Sequence, residues 1–350
     1  LPLVGAEPPG GETVLKIVEE KKAWNGAVKR LGGSVLQSWE WGEFRSRHGW
    51  RPLRLLSPAG DAAAQVLLRD LPLPGLGSLA YVPHGPVCMD EARLPATVEE
   101  VALRIRERGA AVIRVEPRVE ENDALQLKGF ARSASTVQPR CTRIVEILGD
   151  EEAQLKALPK DTRYGVRRAR REGVVAAASG RPEDLEAFLD LLAATASRQR
   201  FALRPREYYR EFMRDLPAHL VVARRDGEEK LLAGAAILTF GEEAYYLYGA
   251  SAKEGDNLYA SYLTQFEVMN LARRHEARRY DMWGPCRPAE GDPLWGVYQF
   301  KKKFGGEEKR YVGAHEKDLA PFRGRLARLG IAGYYSIQRL RGKSSGPIAD

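Results

Sequence analysis

The chain has 350 residues, 44% hydrophobic and 29% charged, a balance that excludes a mainly disordered or fibrous protein and suffices for two packed cores. Lys and Arg number 55 against 47 Asp and Glu, a net charge of +8, which favours a polyanionic partner such as nucleic acid, nucleotide or an anionic membrane face. Cys88, Cys141, Cys286 and five scattered histidines fit neither a disulfide framework nor a metal site, so a reducing cytoplasm and no metal are expected.

Residues 1–33 begin rich in Gly, Pro and charge and show one weak helical patch, Val14 to Val28. From Leu36 the pattern sharpens: Leu36, Trp39 and Phe44 predict a helix to Arg47. A strand over Arg51 to Leu56, a turn at Ser57 to Asp61, and strands at Ala64 to Leu68 and Ser78 to Val82 follow. A helix over Val98 to Arg108, stopped by Gly109, runs into the strand Ala111 to Glu116. The second half repeats this order. Pro182 opens an amphipathic helix through Leu185, Phe188, Leu189 and Leu192. A helical piece at Tyr208 to Met213 precedes strands at Leu220 to Arg224, Leu231 to Phe240 and Ala244 to Gly249. A helix over Leu258 to His275 and a strand over Arg279 to Met282 complete the set. The apolar run Leu231 to Phe240 is about half of what a membrane span needs, and no signal peptide is visible. The chain opens at Leu1 rather than methionine, which leaves its true N-terminus open.

Helix, three-strand meander, helix and parallel return strand is the plan of the N-acetyltransferase (GNAT) superfamily, present here twice. The expected fold is therefore α/β (α+β), two tandem GNAT-like (acyl-CoA N-acyltransferase) domains with mixed sheets. Residues 34–150 form the first domain and 151–316 the second, with 317–350 packing back on the first. A GNAT domain grips acyl-CoA pyrophosphate through a glycine-containing loop before its central helix. The corresponding stretch, Asp256 to Ser261, has no glycine, which argues against CoA as donor.

Several segments resemble the Fem family of peptidoglycan branching enzymes, in family order over roughly residues 34 to 315. They are Gln37-Ser-Trp-Glu-Trp-Gly42 with Arg45, Tyr81-Val-Pro-His-Gly-Pro-Val87, Arg163 to Val174, Leu247-Tyr-Gly-Ala-Ser251 and Tyr298-Gln-Phe-Lys-Lys-Lys-Phe-Gly-Gly306. No sustained heptad run appears, so the chain looks like the compact members that lack a coiled-coil insertion. The resemblance implies transfer of an amino acid from aminoacyl-tRNA to the stem-peptide side-chain amine of a peptidoglycan precursor, lipid II or UDP-MurNAc-pentapeptide, building the interpeptide bridge.

It also implies roles for residues. Lys301, directly after Phe300 in Phe-Lys-x-x-Phe, occupies the position the family places in the acceptor site. A fixed cation there suits the oxyanion of ester aminolysis. Phe300 is read as buried at a strand end, with Lys302 and Lys303 solvated beside it. Arg204 and Tyr208 stand at the spacing of an Arg/Tyr pair that binds the nucleotide-linked precursor. A solvated basic surface is the alternative, and Arg206 is a rival beyond Pro205. Arg45 replaces a lysine that contacts the precursor in compact members, exchanging a point charge for a fork. Tyr81, near the His84-Gly85-Pro86 turn, and Tyr248, at the end of a central strand, are further substrate-binding candidates, with packing roles as the alternative. Lys160, Arg163, Arg167, Arg168 and Arg171, joined by Arg170, crowd one helix and are candidate tRNA-phosphate ligands; a basic linker helix would read the same way.

The second basic segment, Pro321 to Lys343, could lie on an anionic membrane, but packing on the first domain is preferred. The expected partners are aminoacyl-tRNA as co-substrate and the precursor, with no cofactor and no stable protein partner. The expected location is the cytoplasm, with or without peripheral contact with the inner membrane face. A GNAT-like acyltransferase using acyl-CoA or acyl carrier protein, and a noncatalytic tRNA-binding or cell-wall-associated scaffold, are the alternatives.

Overall fold

The computed structural model describes residues 15–71, 75–121, 125–133, 135–199, 202–292, 294–320 and 323–324. In chain order the first half contributes β1 (Lys16–Ile17), α1 (Lys21–Arg30), α2 (Trp39–Ser46), β2 (Arg51–Leu56), β3 (Ala62–Asp70), β4 (Ser78–Pro83), β5 (Val87–Cys88), α3 (Leu94–Arg106), β6 (Ala110–Glu116) and β7 (Ala131–Arg132). The remainder contributes β8 (Cys141–Glu146), α4 (Glu151–Ala157), α5 (Lys160–Arg171), β9 (Val174–Ser179), α6 (Pro182–Gln199), α7 (Arg206–Asp215), β10 (Ala218–Arg225), β11 (Leu231–Phe240) and β12 (Glu243–Ser251). It ends with α8 (Lys253–Asn257), α9 (Ala260–Arg274), β13 (Arg279–Asp281), α10 (Trp295–Lys302), β14 (Glu307–Arg310) and β15 (His315–Asp318).

The first sheet runs β1-β2-β3-β4-β6-β15-β7, with β5 also paired to β3. Strands β2, β3 and β4 are an antiparallel meander, and the α3 crossover returns β6 parallel to β4. Helix α3 buries Leu94, Val98, Val101, Ala102 and Ile105, one stripe at spacings of three and four. The stripe packs on Val66, Ala80, Val82, Ile113 and Val115, each such aliphatic burial contributing roughly 1.5–3 kcal/mol. Ser38 caps α2 by accepting the Trp41 N–H at 3.1 Å. Just before it, fully buried Gln37 accepts the Gln65 N–H at 2.7 Å and donates to Pro83 O at 2.6 Å. The motif at 37–42 thus locks onto the one at 81–87. A Cβ on Gly85 would lie 2.7 Å from the Gln37 amide, and one on Gly42 would lie 2.4 Å from Arg54 and Gln65, so both glycines are needed for close approach.

The second sheet runs β14-β8-β13-β12-β11-β10-β9. Strands β10, β11 and β12 form the meander, and β13 returns parallel to β12 after α9. Helix α9 packs Leu263, Phe266 and Met269 with Val221, Leu232 and Ile237 on one face. On the other face Phe188, Leu192, Tyr208, Phe212, Leu238 and Tyr245 join Trp24, Phe44, Trp50 and Tyr81 of the first half in one continuous core. The doubled meander-and-return plan expected from the sequence is present.

Several expectations are corrected. Cys141 and Cys286 form a disulfide, against the expectation that no pair would form: partners 145 residues apart become neighbours only once β8 has joined the second sheet beside β13. Strand β8 ends before the boundary expected at 150 yet belongs to the second sheet, and β15 carries the chain back into the first from His315. The weak patch at 14–28 resolves into β1 and α1. The helix expected from Leu258 is broken at Tyr259, whose left-handed φ of 56° separates α8 from α9. Phe300 and Lys301 sit on a helix rather than at a strand end, and Phe300 is half-buried. In Trp295-Gly-Val-Tyr298-Gln-Phe300, two residues separate the first aromatic pair and one the second, so helical and strand periods compete. Nearly all of the segment 321–343 lies outside the described residues.

Candidate active site

Parallel pairing between β12 and β13 covers only Glu243↔Arg279, Ala244↔Tyr280 and Tyr245↔Asp281. Beyond it the strands part, and helix α10 delivers Lys301 to the opening. The Lys301 ammonium donates to Trp283 O and Gly284 O, both at 2.8 Å, and stands 5.2 Å from the centre of the Tyr246 ring. Three N–H bonds are available on an ammonium, so one remains for a ligand. Burial brings the Lys301 pKa down from 10.5 to about 7, while the Asp281 carboxylate works in the opposite direction.

Trp283 adopts a left-handed φ of 56°, a strained conformation for a bulky residue and one that functional sites tolerate. Asp281 Oδ1 accepts the Trp283 N–H at 2.8 Å and so holds that turn. Buried His84 packs on the Trp283 ring at 5.2 Å, and Nδ1 of His84 lies 3.1 Å from Ser34 Oγ. Burial and Arg118 hold the His84 imidazole well below its usual range, hence neutral.

A β-bulge in β12 separates a second cluster from the first. The register slips between Ala236↔Tyr248 and Ile237↔Tyr246, so Tyr248 joins the face carrying Tyr245 instead of sharing one with Tyr246. Tyr248 meets Tyr209 at 5.0 Å and Phe212 at 5.2 Å. Its phenol is held well above the usual range, first by burial and then by Tyr208 and Tyr209. Arg204 precedes α7 and is not in a helical turn with Tyr208, yet its guanidinium lies 5.6 Å over the Tyr208 ring. Arg206, the rival, pairs with Asp190 at 2.6 Å and Glu186 at 2.9 Å.

Arg45 is 3% exposed and forms no ion pair among the described residues. It lies 5.9 Å from Trp41 and 5.5 Å from Trp50. Burial lowers its pKa; the phenols of Tyr208 and Tyr81 oppose that, and the neighbouring cations Arg69 and Arg204 add to it. The indole nitrogens of Trp41 and Trp50 are buried without hydrogen-bond partners among the described residues. A buried cation beside two others and two unused donors suits an anionic group. Tyr81 donates to Glu116 at 2.7 Å and accepts from Gln138 at 3.1 Å, so its hydroxyl is engaged within the protein. The Phe300 ring lies 5.9 Å from Tyr262 and 5.1 Å from Phe304.

All the basic candidates at 160–171 fall on α5. Lys160, Arg167 and Arg171 are exposed and form no ion pair among the described residues, whereas Arg168 meets Glu172 at 3.6 Å and Arg170 meets Glu151 at 2.6 Å. Arg163 donates to the carbonyls of Lys156 and Leu158 at 2.6 and 3.0 Å, closing off the end of α4. Helix α5 also covers the start of α9. A Cβ on Gly165 would lie 2.7 Å from Tyr259 and 3.1 Å from Tyr262, leaving α9 without the open glycine loop of a CoA site.

The sequence reading missed Trp50, Arg69, Tyr246, Asp281 and the Trp283–Gly284 carbonyls. A carboxylate ending the apolar strand before Met282-Trp283-Gly284-Pro285 was a usable signal for Asp281; the carbonyls left none.

Among known proteins, the chain is 28% identical over 314 residues to UDP-N-acetylmuramoylpentapeptide-lysine N(6)-alanyltransferase of Weissella viridescens, covering 83% of this chain and 90% of that one. It is 26% identical over 356 aligned positions to lipid II:glycine glycyltransferase of Staphylococcus saprophyticus, covering 78% and 85%. The crystal structure of FemX superposes with a TM-score of 0.79 at 22% identity over 90% of this chain and 99% of that one. A tandem GNAT protein from the clavulanic acid pathway matches at 0.50 and 13%, covering 87% and 98%, in keeping with the doubled fold. The FemAB family matches residues 121–226 and 221–329, more than half of the sequence, and the chain belongs to that family.

Proposed function

We propose that this protein is an aminoacyltransferase that moves an amino acid from aminoacyl-tRNA to the side-chain amine of the stem peptide in a peptidoglycan precursor. The observation that carries the reading is Lys301, an ammonium gripped by two carbonyls at the parted ends of β12 and β13 with one N–H to spare. The acceptor amine attacks the ester carbonyl, a C–N bond forms, and the tetrahedral oxyanion takes the spare N–H of Lys301. Collapse breaks the ester C–O bond, and the proton lost by the amine ends on the released ribose hydroxyl. The ester is already activated, so the protein has to align amine and carbonyl and stabilise charge; the reaction calls on neither ATP nor a metal.

Arg45, Arg204, Tyr208 and Tyr248 are assigned to the acceptor, whose anionic groups match the buried Arg45 guanidinium and half-buried Arg204. The relatives support this class of acceptor, since one is named for UDP-N-acetylmuramoylpentapeptide-lysine and another for lipid II. Helix α5 is assigned to tRNA through Lys160, Arg167 and Arg171, the cations it leaves exposed and unpaired. Among the described residues no helix is long and apolar enough to cross a membrane.

The test is transfer of label from tRNA charged with a radioactive amino acid to lipid II or UDP-MurNAc-pentapeptide, with and without ribonuclease. Ribonuclease-sensitive transfer is expected. Transfer supported by acyl-CoA and indifferent to ribonuclease would replace the donor, and absence of transfer from every charged tRNA would favour a binding protein.

A further inference from the structure

Arg118 leaves the first sheet just after β6 and ends inside the second half. Its guanidinium donates to Glu243 at 2.5 Å, to Asp281 Oδ2 at 2.8 Å and to the Tyr311 hydroxyl at 3.2 Å. The two carboxylates close the parallel-paired stretch of β12 and β13, and Asp281 is 1% exposed. Its other oxygen, Oδ1, accepts the Trp283 N–H and also bonds the Thr142 hydroxyl. Trp283 and Gly284 then present the carbonyls that bind Lys301. An unbroken line of buried and part-buried polar contacts therefore runs from the end of the first sheet to the ammonium.

We propose that Asp281, clamped by Arg118 from the first sheet, is a positioning residue that sets the Trp283–Gly284 carbonyl pair and through it the place of the Lys301 ammonium. The inference rests on the role given to Lys301 above. Two carboxylates meet Arg118, and Arg279, half-exposed on the outer side of Glu243 at 2.8 Å, pairs with the first of them. Of this balanced set Asp281 is the member that acts on Lys301, where its carboxylate favours the ammonium over the amine. The charged groups facing Lys301 are Asp281 from β13 and, behind it, Arg118 and Glu243 at the start of β12, which also supplies the Tyr246 ring. The clamp thus does two things at once: it orients the carbonyls and it opposes loss of the Lys301 proton. It also makes the catalytic geometry depend on both halves of the chain being seated together.

A merely structural salt bridge would cost the same whether or not Lys301 is present, and a positioning residue would not. The experiment is a double-mutant cycle in the transfer assay with Asp281→Asn, Lys301→Met and the double variant, accompanied by the pH dependence of Lys301 modification by an amine reagent. Asp281→Asn is expected to lower kcat by about 10- to 100-fold with the acceptor KM within about threefold of wild type. In the Lys301→Met background it should cost less than about twofold further. The midpoint for Lys301 modification should move to lower pH. Arg118→Lys, which keeps a cation without the fork, should retain more turnover than Arg118→Met, and it serves in the same cycle if Asp281→Asn does not fold. A Lys301→Met enzyme that is slow, yet still loses the full factor on Asp281→Asn, overturns this inference alone. A Lys301→Met enzyme with wild-type turnover overturns the Lys301 role and the inference with it.

Discussion

Lys301 is a half-buried, desolvated cation, and replacing it should trade activity against stability in a way that depends on pH. Moving a lysine pKa from 10.5 to about 7 makes the charged form on the order of 5 kcal/mol less favourable in the folded protein than in the unfolded chain. The unfolded chain binds the extra proton between those two values, so this penalty is fully present below pH 7, shrinks as pH rises, and is gone above about 10.5. Lys301→Met removes it but orphans the carbonyls of Trp283 and Gly284, at roughly 1–3 kcal/mol each. Those carbonyls do not titrate. Relative to wild type, Lys301→Met should therefore lose about 4 kcal/mol of unfolding free energy between pH 6 and pH 10, starting from near parity or better at pH 6. Urea unfolding of both proteins at pH 6, 8 and 10 measures this difference, and every other titrating group cancels to first order. In the transfer assay wild-type turnover should decline as pH climbs through about 7, as the ammonium is lost, and Lys301→Met should be slower by about two to three orders of magnitude at its optimum. Parallel stability profiles for the two proteins would refute the desolvated-cation reasoning, and near-normal turnover would refute the oxyanion role.

Arg167→Gln with Arg171→Gln should flatten the dependence of log K on log salt for tRNA binding by roughly one per lost phosphate contact, with acceptor affinity unchanged; an unaltered slope would make α5 a packing helix only. Arg45→Ala should raise the acceptor KM by about 10- to 100-fold, the range of a charge-assisted hydrogen bond, while unfolding midpoints hold, because the residue removed is a buried cation without a carboxylate partner. Acetyl-CoA should give no calorimetric binding at micromolar concentration, since α5 covers the start of α9; a micromolar dissociation constant would reopen that site.

The legible part of the fold was the part written locally. Strand β2 over Arg51 to Leu56, strand β11 over Leu231 to Phe240 and the start of α6 at Pro182 follow from alternation, an apolar run and an N-terminal proline, each within a dozen residues. Strands β8, β14 and β15 carry too little of such a pattern. The six residues of β8 are mixed in polarity and the four each of β14 and β15 are wholly polar, and what makes them strands is a partner far along the chain, as when Cys141 faces Arg310. The same division holds in the site. Lys301, Arg45 and Tyr208 could be picked out because a motif or a charged residue in an aromatic setting marks them. Their surroundings could not: the Trp283 carbonyl is backbone, and the turn of Tyr248 onto the Tyr245 face comes from a one-residue bulge that alternation alone would place the other way. The meeting of Arg204 with Tyr208 was expected for the wrong reason, since an extended approach to α7, not a shared helical turn, brings them together.

The late arrival of β14 and β15 bears on how the nascent chain can fold. Strand β6 waits for β15 to cover its edge and β8 waits for β14, and both partners are made only with residues 307–318. Neither sheet can close while the ribosome is still making the second half, so an N-terminal domain cannot finish first and leave the rest to follow, as it does in many two-domain proteins. Until then the synthesised chain carries unpaired strand edges on both β6 and β8, each a template for wrong pairing. Completion of the two sheets therefore falls within the same short interval of synthesis.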